Sequence, residues 1–129
     1  MMGINAVWDD EDQTVLRLEF EGSWVWKDYD VAIEEAYRML QSVSNPVDVM
    51  LNLSDSATVP PLKSLKSFQR TLSLKPANVR MFIAVGSDSF ACGLCVSFLK
   101  ALVATTLEQA RAILASPPTS GFMESSAAA

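Results

Sequence analysis

No histidine occurs anywhere in the chain. That absence removes the commonest general base and the commonest metal ligand together, and it weighs against catalysis. There are only two cysteines, Cys92 and Cys95, so a zinc site would need two further ligands that neither histidine nor cysteine can supply. No Gly-rich phosphate loop and no Ser-His-Asp set is present, and Asp28 and Asp30 stand too close on one helix to face each other across a substrate. No apolar run approaches the roughly 18 residues that span a bilayer. The N-terminus has no basic start followed by an apolar block, and Met2 and Val7 spoil a myristoylation signal, so a soluble cytoplasmic protein is expected.

Charge is short on one side of each half. Residues 1–55 hold twelve acids and three bases, a balance of -9, whereas residues 56–129 hold three acids and seven bases, a balance of +4. The net charge of -5 argues against nucleic acid as a main partner, and the basic second half leaves room for one local positive patch. Half of the 129 residues are apolar and 19% are charged, a globular composition for a single domain. That domain is expected over residues 1–116, with a small, polar, disordered tail over 117–129.

The run Val47, Val49, Met50, Leu51 and Leu53, broken only by Asp48 and Asn52, suits a central strand covered on both faces. Ahead of it, Ile4–Trp8 and Thr14–Glu21 read as a hairpin whose acidic tip, Asp9–Asp12, lacks the spacing of a calcium loop and reads as solvated. A helix over Lys27–Val43 carries Ile33, Ala36, Tyr37, Leu40 and Val43 on one face and a Glu34–Arg38 pair on the other. After the central strand comes a loop closed by Pro60-Pro61, then a helix over Leu62–Leu72 with Leu62, Leu65, Phe68 or Gln69, and Leu72 inward. Lys63, Lys66 and Arg70 share its outward side. Val79–Val85 is the next strand, and at a sheet edge it would favour a homodimer. A helix follows from Ser89 or Phe90 to Leu99, with Phe90, Leu94, Phe98 and Leu99 apolar, then a short strand within Ala101–Thr105. Two overlapping capping boxes at Thr105–Gln109 open the last helix. The order is ββαβαβαβα, an α/β mixed sheet of about five strands.

That order resembles the STAS fold of sulfate-transporter and anti-sigma-factor-antagonist domains, and more closely its SpoIIAA-like group. The residues that carry the likeness are Val49–Ser54 (VMLNLS), Phe20-Glu21-Gly22 after the second strand, and the closing T-L-E-x-A helix at Thr106–Leu114. The resemblance implies a non-enzymatic regulatory module without cofactor, working through protein contacts. It covers residues 4 to 115. Where phosphorylated antagonists carry Asp-Ser-Ser/Thr-Gly, this chain has Pro60-Pro61-Leu62-Lys63, and Asn52 replaces the usual acid, so the phosphoacceptor does not carry over. Ser54, Ser56, Thr58 and Ser64 lie near enough to stand in as phosphoacceptors, with no pattern that singles one out, and Ser54, Ser56, Thr58, Lys63, Lys66 and Arg70 mark the expected partner-binding surface.

Two other constellations compete. Trp24 and Trp26 lie two apart and either close the edge of the core or, with Phe68 and Phe90, line a pocket for a small apolar or lipid-like ligand. Cys92-Gly93-Leu94-Cys95 is a CxxC near a helix start, which reads as core packing or as a thiol redox pair.

Overall fold

Period-two alternation and helical spacing translate into a five-stranded mixed sheet with four helices among the described residues. The computed structural model describes residues 3–56, 59–60 and 66–115. Strands β1 (Gly3–Trp8) and β2 (Val15–Gly22) form the hairpin; helix α1 (Trp26–Gln41), strand β3 (Val47–Ser56) and helix α2 (Lys66–Ser73) follow. Strand β4 (Val79–Val85), helix α3 (Ser89–Leu99), strand β5 (Leu102–Ala104) and helix α4 (Leu107–Ala115) complete the order ββαβαβαβα. The strands lie side by side in chain order, β1 antiparallel to β2 and all later neighbours parallel. Strand β4 therefore lies inside the sheet, and the condition that would have made it a dimer edge is not met.

Strand β3 is central and buried from Val47 to Leu53. Val47, Val49, Leu51 and Leu53 enter a large core under α1, α2 and α3, while Met50 enters a smaller one under α4. The two polar interruptions share Met50's side and both have partners, as buried polar groups must. Arg80 Nε and Nη2 donate to the two oxygens of Asp48 at 2.8 and 2.6 Å, and Arg80 also reaches the Leu114 carbonyl in α4. An extra residue of β4 between the pairs Val47–Val79 and Val49–Phe82 makes a local irregularity that contains Arg80. Asn52 Nδ2 donates to Glu19 at 2.9 Å.

The acidic hairpin tip is engaged rather than solvated. The Asp9 side chain is only 4% exposed and pairs with Arg17 and with Arg111 of α4, the latter through bonds of 2.8 and 3.0 Å. Asp10 accepts from the backbone of Thr14 and Val15 and closes the turn. Only Glu11 and Asp12 are left to water.

Helix α1 buries the expected Ile33, Ala36, Tyr37 and Leu40, and also Tyr29 and Ala32. On α2 the inward residues are Phe68 and Thr71, and Leu72 is exposed. One residue on a helix turns about 100°, so seating Thr71 inward rotates Leu72 away. Thr71 takes that place because hydroxyls tie it in: Tyr29 Oη lies 2.8 Å from Thr71 Oγ1, and Tyr37 Oη donates to the Thr71 carbonyl at 2.7 Å. The expected Glu34–Arg38 pair is replaced by two others, Arg38 with Glu35 and Glu34 with Arg70 on α2. The N-terminal part of the second expected helix, at 62–65, and the tail at 117–129 lie outside the described residues.

Of the apolar residues expected on helix α3, Leu94, Phe98 and Leu99 pack against the core and Phe90 does not. The helix buries Ala91, Cys92, Cys95 and Leu99 and leaves Phe90 61% exposed. Nearly every position of SFACGLCVSFL is apolar or small, so periodicity does not single out a face. Asp88 accepts from Phe90 N and Ala91 N at the start, and Lys100 closes the helix in the left-handed conformation. At α4 one arm of the second expected capping box forms, Gln109 N–H donating to Thr106 Oγ1, while the Gln109 side chain accepts from the N–H and hydroxyl of Thr105 rather than from the Thr106 N–H. Among the described residues no helix is long and apolar enough to cross a membrane.

Candidate functional site

Because β2, β3 and β4 run parallel, their C-terminal ends open onto one edge of the sheet. Glu21 and Gly22 stand in register with Asp55 and Ser56, so the exits of β2 and β3 are neighbours. Gly22 adopts a positive φ of 61°, where glycine is at least cost, and turns the chain toward α1. That turn carries Trp24 inward, where its indole N–H donates to Ser56 Oγ at 2.9 Å. Gly86 closes in from β4: a Cβ there would stand 3.4 Å from the Leu53 carbonyl carbon. Ser54 and Asp55 project outward between these turns.

Beneath this edge the aromatic residues form a continuous chain. Trp24 and Trp26 meet edge to face at 5.1 Å, Trp26 meets Tyr29 and Phe68 at 5.5 and 5.4 Å, and Phe68 stacks on Phe98 at 5.0 Å. Each such contact adds about 0.5–1.5 kcal/mol beyond its buried area. Trp24, Trp26 and Phe68 thus come together as the pocket reading required, and Phe90 stands outside them. The cavity they leave, bounded also by Phe20, Leu51, Leu53, Val59, Ala91, Leu94 and Cys95, measures about 20 Å³. That is room for about one water, whereas ligand pockets run to about 300 Å³ or more. The rings fill the space that a ligand would need.

Both cysteines face the interior. Burial pushes the Cys95 thiol up to about 12, with Cys92 adding to the shift. Burial and then the Asp88 carboxylate push Cys92 up as well. Reactive thiols need the opposite shift, and the acid capping α3 offsets the helix dipole that would have lowered it. The geometry favours core packing for this pair.

The expected contact residues are spread along the same edge. Ser54 is exposed; Ser56 is half-buried and holds Trp24; Lys66 is exposed at the start of α2; Arg70, one turn on, is paired with Glu34. Thr58, Lys63 and Ser64 lie outside the described residues. Sequence reasoning missed three features here: the Trp24–Ser56 bond, the hydroxyl ties at Thr71, and the Glu34–Arg70 bridge. A signal existed for one of them, since Tyr29, Ile33 and Tyr37 recur every four residues and so share a helix face.

No protein-family model, curated protein or solved structure matches this chain.

Proposed function

We propose that the chain is a non-enzymatic STAS-like module, of the anti-sigma-factor-antagonist type, that engages a protein partner at the β3 exit and the outward side of α2. The observation that carries this reading is topological. Open α/β sheets hold small ligands in the crevice at a switch point, where neighbouring loops leave toward opposite faces. Here β2, β3 and β4 lie in chain order, and α1, α2 and α3 all pack on the same face, so adjacent exits turn the same way. Among the described residues the edge carries Ser54, Asp55 and Lys66 over a filled aromatic layer. A surface of that kind suits a protein partner better than a small molecule. The element order, the VMLNLS strand and the T-L-E-x-A helix support the STAS-like assignment.

Lys66 and Arg70 give the surface its positive component, and the surface pair that holds Arg70 is weak enough to exchange for a partner's carboxylate. The partner face is therefore acidic. The full chain and a Lys66→Glu/Arg70→Glu variant, each used as bait in extracts of the source cells, test the idea. A partner retained by the first and lost by the second is expected; identical recoveries would overturn it. A small molecule retained in the native mass spectrum of the purified chain would move the function to ligand binding instead.

A further inference from the structure

The outward side of α3 has no role in the interior or at the β3 exit. No charged residue occurs between Ser89 and Leu99, yet Phe90, Val96 and Ser97 are exposed. Val103 continues the exposed apolar surface on β5, an edge strand of the sheet. Its register partner Ala84 belongs to the core under α1–α3, which places Val103 on the same side of the sheet as α3.

Gly93 sits in the middle of this surface, and a Cβ built on it would meet nothing within 4 Å. Glycine inside a helix costs about 1 kcal/mol relative to alanine. Nothing within the described chain requires that cost, because the space in front of Gly93 is open. Gly93 is itself half-buried between the exposed Phe90, Val96 and Ser97, and its bare backbone allows another backbone to approach closely.

The charges at the two ends say which backbone. Asp88 caps the start of α3 and Lys100 its end, and neither forms a salt bridge among the described residues. They stand nearly symmetrically about Gly93, as do Phe90 and Val96. We propose that α3 is a self-association face, on which two copies of this chain pack antiparallel about a two-fold axis passing near Gly93. Phe90 of each copy then covers Gly93 and Ser97 of the other, and Lys100 of each lies against Asp88 of the other. A parallel pairing would set like charges together and is disfavoured. The contact is isologous, so it closes at two copies. A helix of 11 residues is about 16 Å long, which with β5 supports an interface at the small end of the specific range and an affinity in the micromolar range.

Sedimentation velocity on a dilution series of the full chain tests this, and a concentration-dependent monomer–dimer equilibrium is expected. Phe90→Glu lies at an exposed site and leaves the fold intact by circular dichroism, and it is expected to weaken the dimer by about tenfold or more. Gly93→Cys, under mild oxidation, is expected to give a disulfide-linked dimer across the axis. Val31→Cys, more exposed but on α1, is not. A chain that stays monomeric at its highest soluble concentration overturns the proposal. So does a dimer that ignores Phe90→Glu and is not trapped through Gly93→Cys, and so does a monomer that co-floats with zwitterionic vesicles through the same face.

Discussion

On the side of the sheet covered by α1, α2 and α3, the strands present Leu16, Leu18, Phe20, Val49, Leu51 and Phe82 to a continuous layer of aliphatic groups and aromatic rings. On the side covered by α4, the apolar contact shrinks to Met50, Ile83, Val85, Ala104, Ala110 and Leu114 with a few half-buried neighbours. One nine-residue helix cannot cover a five-stranded sheet, and the remainder is occupied by Asp48–Arg80, Glu19–Asn52 and Asp9 with its two arginines. Three helices allow burial alone to hold a face together. A single helix has to be located by directed polar bonds, and Arg80 to the Leu114 carbonyl and Arg111 to Asp9 fix both ends of the arrangement.

The comparison can be broken most directly by truncation on each side. Leu51→Ala, in the centre of the three-helix face, is expected to cost about 2–5 kcal/mol in urea unfolding, because the rings around it are too interlocked to collapse into the gap. Arg80→Ala strips the partner from an Asp48 side chain that is 6% exposed. Since Arg80 itself is 39% exposed and water can follow, the expected cost is about 1–3 kcal/mol, less than for a fully enclosed pair. Removing both partners together is expected to cost less than removing Arg80 alone. An Arg80→Ala loss larger than that of Leu51→Ala would reverse the assignment of stability to the apolar face.

The two faces should also fail at opposite ends of the pH scale. The Arg111 hydrogen bonds, aided by charge and by Arg17, hold the Asp9 carboxyl below its ordinary 3.8 despite burial. A depressed carboxyl contributes stability above its unfolded value, and that contribution is lost as pH falls from 3.8 through the folded value. Acid therefore releases α4 from the hairpin, and Asp9→Asn is expected to flatten the acid limb of the stability curve. On the other face burial raises Cys95 to about 12 and raises Tyr29 and Tyr37 as well. These groups must stay neutral, so their contribution is complete below the unfolded values and is lost as pH climbs, for Cys95 between 9.0 and about 12. Cys95→Val is expected to reduce the alkaline loss of near-ultraviolet ellipticity over that window. Acid loss insensitive to Asp9→Asn would show that the carboxylate network is not what titrates.

What could be read in advance follows the same division. Strand β4 was legible to the residue at both ends, and β3 from its first residue, since a mostly apolar run starting just after Pro46 or Asn78 and ending in a polar loop leaves little choice. The apolar face of α1 was legible because its polar and apolar residues alternate with helical period. Helix α3 was not, because an almost uniformly apolar helix has no period to read. The engagement of Asp9 was hidden for another reason: its partner Arg111 is 102 residues away, and no local pattern encodes a bond of that span. At the candidate site, Trp24, Trp26 and Phe68 of the four expected rings meet and Phe90 stands apart, and whether rings enclose space or fill it depends on packing that spacing does not determine.

The smallest expected effect bears most closely on the proposed contact surface. Glu34 was matched in sequence to Arg38, and the fold gives it instead to Arg70, so one residue of the basic stripe is already neutralised across the α1–α2 seam. Both side chains are nearly half exposed, and pairs of that kind contribute about 0.2–1 kcal/mol. A double-mutant cycle with Glu34→Ala and Arg70→Ala is expected to return a coupling in that range and to fall with added salt. So small a coupling would leave Arg70 available to a partner's carboxylate, and Glu34→Ala should then tighten partner binding while leaving the fold's stability almost unchanged. A coupling well above 1 kcal/mol would instead make the bridge a structural clamp between the two helices, in the same class as Tyr37 on the Thr71 carbonyl. It would also remove Arg70 from the contact surface, leaving Lys66 to supply its charge among the described residues.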